Sequence, residues 1–437
     1  MSRTEPTGAS HATPDERVAW MREVRFGLFI HWGLYSLPAR HEWVKSREQL
    51  TDEHYRRYFA HFDPDRFDPS VWAEEAREAG MRYVVITTKH HEGFCLWDSA
   101  LTDYKVTNTP AGRDLLGPCV EAFREAGLRI GLYYSLLDWH HPEFPIDGFH
   151  PERDSIADGG PARTDRDIGK YAGYVHGQVQ ELLTRYGRID YLFFDFSYPD
   201  RMPDGKGREE WKSAELIRLV RELQPSIVVN DRLDLPDADV RTPEQYQPAQ
   251  AVSAKGNPVF WEACQTLNGS WGYDRDNLDW KSAELLVRML IDGVSKDGNL
   301  LLNVGPTARG EFEPKAVERL RCIGEWMRLH SRAIYGAGKA SFDAPADCRF
   351  TQRGDRLYLS IFAWPFRHLH LRELADHVEY AQMLHDGSEV RMRVLDSSQE
   401  AQNTTMAGGE PGTLVLDLPT QPPNVLVPVV ELFLRTE

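Results

Sequence analysis

Asp195 closes an apolar run, Tyr191-Leu192-Phe193-Phe194-Asp195, and an acid in that place either caps the following turn or does chemistry. Other short apolar runs end in the same way. One finishes in His31-Trp32-Gly33, one in Lys89-His90-His91-Glu92, one in Tyr133-Tyr134-Ser135, one in Asn230-Asp231-Arg232 and a shorter one in Thr242-Pro243-Glu244. If the runs are parallel strands, these ends converge on one rim and bring together histidines, aromatic rings, an arginine and at least two carboxylates. Scattered surface polarity would not collect at strand ends. Aromatic faces stack on the C–H patches of sugars, and hydrogen-bonding groups around them read hydroxyls. Cleavage of a glycosidic bond needs two carboxyls, one to attack or to activate water and one to protonate the leaving oxygen. Asp195 and Glu244 are acids on that rim, and Glu262 in Trp261-Glu262-Ala263 is a further carboxyl by residue type alone. A metal centre is the competing reading of the histidines. His90 and His91 are adjacent, so on an extended strand they point to opposite sides and share one ion with difficulty. The plainer alternative for each histidine is a satisfied core position. No metal or other cofactor is expected.

The elements that must hold this rim alternate along the chain. Near-continuous apolar runs over residues 26–31, 83–89, 129–135, 191–196, 226–231, 259–264 and 299–305 read as strands covered on both faces, with a shorter eighth at 239–242. Amphipathic stretches over 70–79, 113–126, 167–186, 208–223, 280–295 and 314–329 read as the helices between them. None falls between 231 and 259. The pattern predicts a (β/α)8-like, TIM-type barrel with irregular helices, an open doubly wound sheet being the weaker alternative. After residue 336 short alternating runs punctuated by Gly, Asp and Pro predict a C-terminal antiparallel β-sandwich. The expected domains are therefore 1–336 and 337–437, with residues 144–165 as a polar, mobile loop.

Bulk properties exclude some partners. Lys and Arg number 51 against 67 for Asp and Glu, and a net charge of −16 repels nucleic acid and anionic membrane surfaces. Five dispersed cysteines without a CxxC pair read as reduced, mostly buried thiols. The polar N-terminus carries no apolar core of secretory length, so a cytoplasmic location is the expectation. Oligomeric state is not readable.

The ordered motifs Phe26-Gly27-Leu28-Phe29-Ile30-His31-Trp32-Gly33, Glu42-Trp43, Thr88-Lys89-His90-His91-Glu92-Gly93-Phe94, Gly131-Leu132-Tyr133-Tyr134-Ser135, Val229-Asn230-Asp231-Arg232, Trp271-Gly272-Tyr273 and Gly298-Asn299-Leu300-Leu301-Leu302-Asn303-Val304-Gly305-Pro306 closely resemble the α-L-fucosidases of glycoside hydrolase family 29. The resemblance covers most of residues 25–335. It implies an exo-acting, retaining hydrolase of terminal α-L-fucosyl residues, with a fucosylated glycan as substrate. It further implies Asp195 as nucleophile and Glu244 as acid/base, with Arg232 beside them. His31, His90, His91 and Tyr134 would hold sugar hydroxyls, Glu42 and Trp43 would belong to a loop over the sugar, and Trp271 would wall the fucose methyl. The chain departs from the pattern around Asp195, with Phe193 or Phe194 where Trp is common and Phe196-Ser197-Tyr198 in place of a Gly-rich turn. A non-catalytic fucose-binding barrel and a glycosidase for a related sugar such as an α-L-galactoside are the alternative functions.

Overall fold

The computed structural model describes residues 12–156, 165–201, 205–254, 256–395, 400–401, 404–405 and 410–435. Residues 1–11 of the polar N-terminus and 157–164 of the segment expected to be a mobile loop lie outside the described residues.

Seven parallel strands form the central sheet: β1 Phe26–Ile30, β2 Tyr83–Lys89, β3 Arg129–Ser135, β4 Tyr191–Asp195, β5 Val228–Val229, β6 Trp261–Thr266 and β7 Gly298–Val304. Their order is β5-β4-β3-β2-β1-β7-β6. Residues 239–244 join the two edges. Asn230 bridges Val240 on one side, while Arg241 bridges Trp261 and Glu244 bridges Cys264 on the other, all in parallel. The expected eighth strand is thus reduced to isolated bridges, because Pro243 has no N–H to give a ladder and only accepts, from the Cys264 N–H at 3.1 Å. The fifth strand is also shorter than expected. The Asn230 side chain replaces the backbone there, accepting from Phe194 N at 3.0 Å and donating to Phe194 O at 2.9 Å. That substitution frees the main chain to turn through Asp231–Leu233, which carries Arg232.

Strand alternation sorts the side chains. Phe29, Tyr83, Val85, Tyr133, Tyr191, Phe193, Val228, Val240, Cys264 and Leu301 fill the barrel. Their neighbours Leu28, Ile30, Val84, Leu132, Leu192 and Phe194 face outward into the helical layer. Gly27 leaves the Tyr83 ring room to cross the floor, since a Cβ there would overlap it. On that floor Glu262 accepts from the hydroxyls of Tyr83 and Tyr191, the latter at 3.1 Å. The apolar interior rings matter energetically as well: truncating one such as Phe193 to alanine costs about 3–5 kcal/mol.

Helices α1 Pro14–Val24, α2 Asp52–His61, α3 Pro69–Glu78, α4 Leu116–Glu125, α5 Ile168–Arg185, α6 Ser213–Leu223, α7 Ala283–Val294 and α8 Pro314–His330 surround the sheet. No α-helix occurs between Leu223 and Ala283 among the described residues, as the missing periodicity implies. The first two were not evident from periodicity. Helix α1 starts with a capping box, Thr13 with Glu16, and closes the barrel floor through Val18 and Met21. Arg17 from the same helix pairs with the buried Asp239 at 2.6 Å, anchoring the closing segment.

The C-terminal part pairs two antiparallel sheets. One contains β8 Gly338–Lys339, β9 Cys348–Arg353, β10 Arg356–Ile361, β12 Val378–Met383 and β15 Val429–Leu434; the other contains β11 His368–Leu371, β13 Arg391–Val394 and β14 Leu414–Asp417. Phe350, Leu359, Leu371, Leu416, Val430 and Leu432 form their own apolar core. Arg349 to Asp292 at 2.8 Å and Trp326 Nε1 to Val427 O at 2.8 Å tie this sandwich to the outer barrel helices. No described helix is long and apolar enough to cross a membrane. The five cysteines are free, four of them buried.

Candidate active site

The strand ends converge as their sequence positions require. One pocket is lined by Phe29, His31, Trp43, His90, His91, Tyr133, Phe193, Asp195, Phe196, Glu244, Cys264 and Trp271, and encloses about 370 Å³ including its open mouth. Asp195 shares the inward face of β4 with Phe193 and Tyr191, two and four residues behind it. Its Oδ2 accepts from the Tyr133 hydroxyl at 2.7 Å, and its Oδ1 lies 3.4 Å from Arg232 Nη1. Arg232 Nη2 donates to Glu244 Oε2 at 3.0 Å. One guanidinium therefore spans both carboxylates. Two further bonds fix its plane, from Nε to Thr242 Oγ1 at 3.1 Å and from Nη2 to Thr242 O at 3.2 Å.

Besides the bond from Arg232, Glu244 is held through its neighbours in the chain. The Gln245 N–H bonds Cys264 O at 3.0 Å, and the Gln245 amide grips Thr266 Oγ1 at 3.0 Å, so the segment is fastened to β6. The two carboxyls differ in environment. Asp195 is 15% exposed and Glu244 41%. Burial pushes the Asp195 carboxyl up to about 6; Arg232 opposes the rise, the Glu244 charge adds to it, and the Tyr133 hydroxyl and Phe196 N–H pull it back. Burial disfavours the Arg232 charge, but Asp195 and Glu244 outweigh it and hold the guanidinium firmly charged.

A nucleophile must be ionised, so kcat/KM is expected to fall as pH drops through about 6, where Asp195 takes up its proton. The sign of each neighbour's effect gives a sharper check. On an activated fucoside, Arg232→Gln should move this acidic limb to higher pH, and Glu244→Gln should move it to lower pH. A pH–rate profile in which both variants shift the same way, or neither shifts, would assign the limb to another group.

The histidines cluster above the floor. His90 and His91 both face the pocket, with ring centroids 3.9 Å apart, contrary to the expectation that they diverge. Strand β2 ends at Lys89, and the turn that follows, with Gly93 at φ 86°, removes strand alternation from both. Burial holds His31 and His91 well below the usual imidazole range and pushes His90 down to about 3. All three are neutral at pH 7. Among the described residues no group of three or more His, Cys, Asp or Glu is arranged to hold a metal ion.

Tyr134 does not reach the pocket. It pairs in register with outward-facing Phe194, its hydroxyl donates to Gln178 Oε1 at 2.8 Å, and the ring lies under Lys89 Nζ at 4.5 Å. Of the pair Tyr133-Tyr134, the pocket is lined by Tyr133 and not by Tyr134, the member expected from the resemblance. Pairing of Tyr133 with Phe193, on the same face as Asp195, puts Tyr133 inside. Glu42 is also set back from the lining: its buried Oε2 accepts from the N–H groups of Trp271 and Gly272 at 3.2 and 2.8 Å, so it holds the loop that presents Trp271. The Trp271 ring stands 5.1 Å from His31 and 5.8 Å from Phe29. Trp43 packs 4.9 Å from His91 and 5.3 Å from Phe196.

Phe196 explains the departure from a Gly-rich turn. It adopts φ 80°, a left-handed conformation uncommon for a residue with a side chain. Ring contacts with Trp43, His91, Phe149 and Tyr198, at 5.1–5.4 Å, hold it there and make it part of the pocket wall. Glu262 sits on the barrel floor with Tyr191, whose Cα lies roughly 13 Å behind that of Asp195 at strand rise. It does not line the pocket.

The family profile described as Alpha-L-fucosidase matches residues 2–332. The fold is similar to alpha-L-fucosidase isoenzyme 1 from Paenibacillus thiaminolyticus, with 44% identity, a TM-score of 0.89 and coverage of 97% of this chain and 100% of the other. It is also similar to a GH29 alpha-L-fucosidase from Bacteroides thetaiotaomicron solved as a trapped covalent intermediate with 2-fluoro-fucosyl fluoride, at 27% identity, TM-score 0.82 and 98% coverage of each chain. The tissue alpha-L-fucosidase of Homo sapiens is 30% identical over 377 residues, spanning 79% of this chain and 76% of its own.

Proposed function

The chain belongs to the alpha-L-fucosidase family, glycoside hydrolase family 29, and from that premise we propose that Asp195 and Glu244 carry out a two-step displacement at the anomeric carbon of a terminal fucose. The enzyme is an exo-acting, retaining α-L-fucosidase acting on fucosylated glycans. Asp195 and Glu244 titrate as a pair, and the reactive form is the one in which their single proton is on Glu244: ionised Asp195 attacks C1 while Glu244 gives that proton to the departing glycosidic oxygen, leaving a fucosyl ester on Asp195. Water then attacks the same carbon from the vacated side, its proton passes to Glu244, and the Asp195 carboxylate is released with fucose. The observation that carries this reading is the Arg232 guanidinium spanning both carboxyls. Retention calls for two carboxyls about 5–5.5 Å apart, against about 6.5–9.5 Å for inversion, and a shared guanidinium favours the closer spacing.

Burial and wall chemistry support the remaining roles. Neutral His31, His90 and His91 suit hydroxyls, and Tyr133 takes the contact first ascribed to Tyr134. Trp271, positioned by Glu42, and Phe29 offer an apolar wall that suits the C6 methyl of fucose; a hydroxyl at C6 would be buried there without a partner. The separate apolar core beyond residue 337 supports the division into a catalytic barrel, 1–336, and a packing sandwich, 337–437.

Hydrolysis of nitrophenyl α-L-fucoside, α-L-galactoside and β-D-galactoside tests the assignment. The fucoside is expected to be cleaved at least about tenfold faster than the α-L-galactoside, the worth of one such contact. Equal rates would favour the related-sugar alternative, and fucose binding without turnover would favour a non-catalytic barrel.

A further inference from the structure

Two of the pocket histidines have one ring nitrogen tied to a partner whose own hydrogen-bonding role is fixed. His31 Nδ1 lies 2.7 Å from Asn303 Oδ1, and Asn303 Nδ2 donates to the Trp271 carbonyl at 2.7 Å. A carbonyl only accepts, so the NH2 group must be on the Trp271 side and the amide oxygen must face His31. That oxygen has no hydrogen to give. The hydrogen in the contact therefore belongs to His31 Nδ1.

His91 reaches the same state by another route. Its Nδ1 lies 2.7 Å from Ser135 Oγ, and that hydroxyl directs its single hydrogen to the Leu137 carbonyl at 2.8 Å. The hydrogen between His91 and Ser135 is then on the ring. Burial keeps both imidazoles neutral, so each ring has one hydrogen and a bare Nε2. His91 Nε2 stands 3.9 Å from Asp195 Oδ2, two acceptors facing one another across a space that a donor would suit. His90 is different. Its Nδ1 has no hydrogen-bond partner among the described residues, and the Glu92 Oε2 atom is 3.6 Å away.

We propose that Asn303 and Ser135 are positioning residues that lock His31 and His91 as Nδ1–H tautomers, so that both histidines present Nε2 to the substrate as acceptors and the sugar must donate hydroxyl hydrogens to them. The identity of the donor as a fucose hydroxyl rests on the fucosidase reading; the tautomers are properties of the free protein. Specificity follows from the direction of the bonds. Fluorine resembles a hydroxyl in size and cannot donate, so a deoxyfluoro sugar should lose at this site what a deoxy sugar loses.

The first measurement is a long-range proton–nitrogen correlation spectrum of the free protein labelled with 15N at histidine, assigned with His31→Gln and His91→Gln. A pyridine-like shift for Nε2 and a protonated shift for Nδ1 in both rings is expected; a protonated Nε2 in either ring overturns the proposal for that ring. The second measures the binding of fucose and its ring-deoxyfluoro analogues to Ser135→Ala and Ser135→Thr at equilibrium, since ring fluorine also slows the glycosyl-transfer steps inductively and turnover would mix the two effects. In the parent enzyme fluorination at the hydroxyl facing His91 should weaken binding about tenfold. Ser135→Ala frees the tautomer, so that ratio should shrink toward one, and Ser135→Thr should restore it. An equal loss of affinity for the hydroxyl and fluoro sugars would reduce Ser135 to a packing role. If no fucoside is cleaved at all, the fucosidase reading fails while the spectrum still decides the tautomers.

Discussion

Asp195→Ala is expected to lower kcat/KM on any α-L-fucoside by on the order of 10⁴- to 10⁶-fold, the scale of removing a nucleophile from a site whose groups act as a unit. The fold should survive. Asp195 is a carboxyl that burial already disfavours as an ion, and Arg232 keeps Glu244 as its other carboxylate partner when Asp195 is gone. The substitution also opens space on the face from which C1 is attacked. Azide should enter there, restore turnover of a nitrophenyl fucoside and give β-L-fucosyl azide, the inverted product. Circular dichroism and fucose binding check that the protein is intact. A variant that retains more than about a hundredth of the activity, or a rescued product of α configuration, would remove Asp195 from the nucleophile role.

Glu244→Ala should cost in proportion to how much help the leaving oxygen needs. General acid catalysis supplies about 10²- to 10⁴-fold, so a fucosyl oligosaccharide should lose that much, while a dinitrophenyl fucoside or fucosyl fluoride, whose leaving groups depart without a proton, should lose far less in kcat/KM. Glu244 also activates water in the second step, so the fucosyl-enzyme should accumulate on activated substrates. Azide then intercepts an intermediate already inverted once and gives α-L-fucosyl azide, the retained product. The two alanine variants are therefore separated by the anomer they make. Equal losses on poor and activated leaving groups would move the acid role elsewhere. Glu262 is a useful control: Glu262→Gln disturbs the bonds to Tyr83 and Tyr191 on the barrel floor and should lower stability without any leaving-group dependence.

Much of this architecture is written in local pattern. The central parallel strands and six of the helices lie within a few residues of where hydrophobic periodicity puts them, because burial on both faces makes the strands continuous apolar runs. The rim was legible for the same reason: a polar residue that ends such a run has only the strand mouth to go to. Two helices were harder to read. Helix α1 closes the barrel floor with Val18 and Met21 while carrying Arg17 and Arg22, so no long apolar stripe marks it, and only its capping box gives it away.

What the sequence could not supply was register and side-chain substitution of backbone. Tyr133 and Tyr134 are equivalent as letters; only pairing of Tyr133 with Phe193 tells which faces Asp195. His90 and His91 seemed bound to diverge because the end of β2 at Lys89 is a feature of the turn, not of the run. Strand five was overread because Asn230 mimics a ladder with its amide. Phe196 was marked only as a departure from a glycine turn, and its role in the wall emerges from four ring contacts, three of them with residues distant in sequence, Trp43, His91 and Phe149. Arg232 was placed beside the two carboxyls by the resemblance, but that one guanidinium bonds both of them emerges only from the geometry.

The central claim is that Asp195 forms the covalent bond to fucose, and the measurement that tests it most directly is peptide mapping by mass spectrometry of enzyme inactivated with 2-deoxy-2-fluoro-α-L-fucosyl fluoride. The fluorine slows both steps and the good leaving group lets the first proceed, so the ester should accumulate on the peptide containing Asp195, one label per chain, with the mass carried by that residue. A label on Glu244, Glu262 or any other side chain, or rapid turnover of the unfluorinated fluoride to the inverted sugar with no label, would contradict the account.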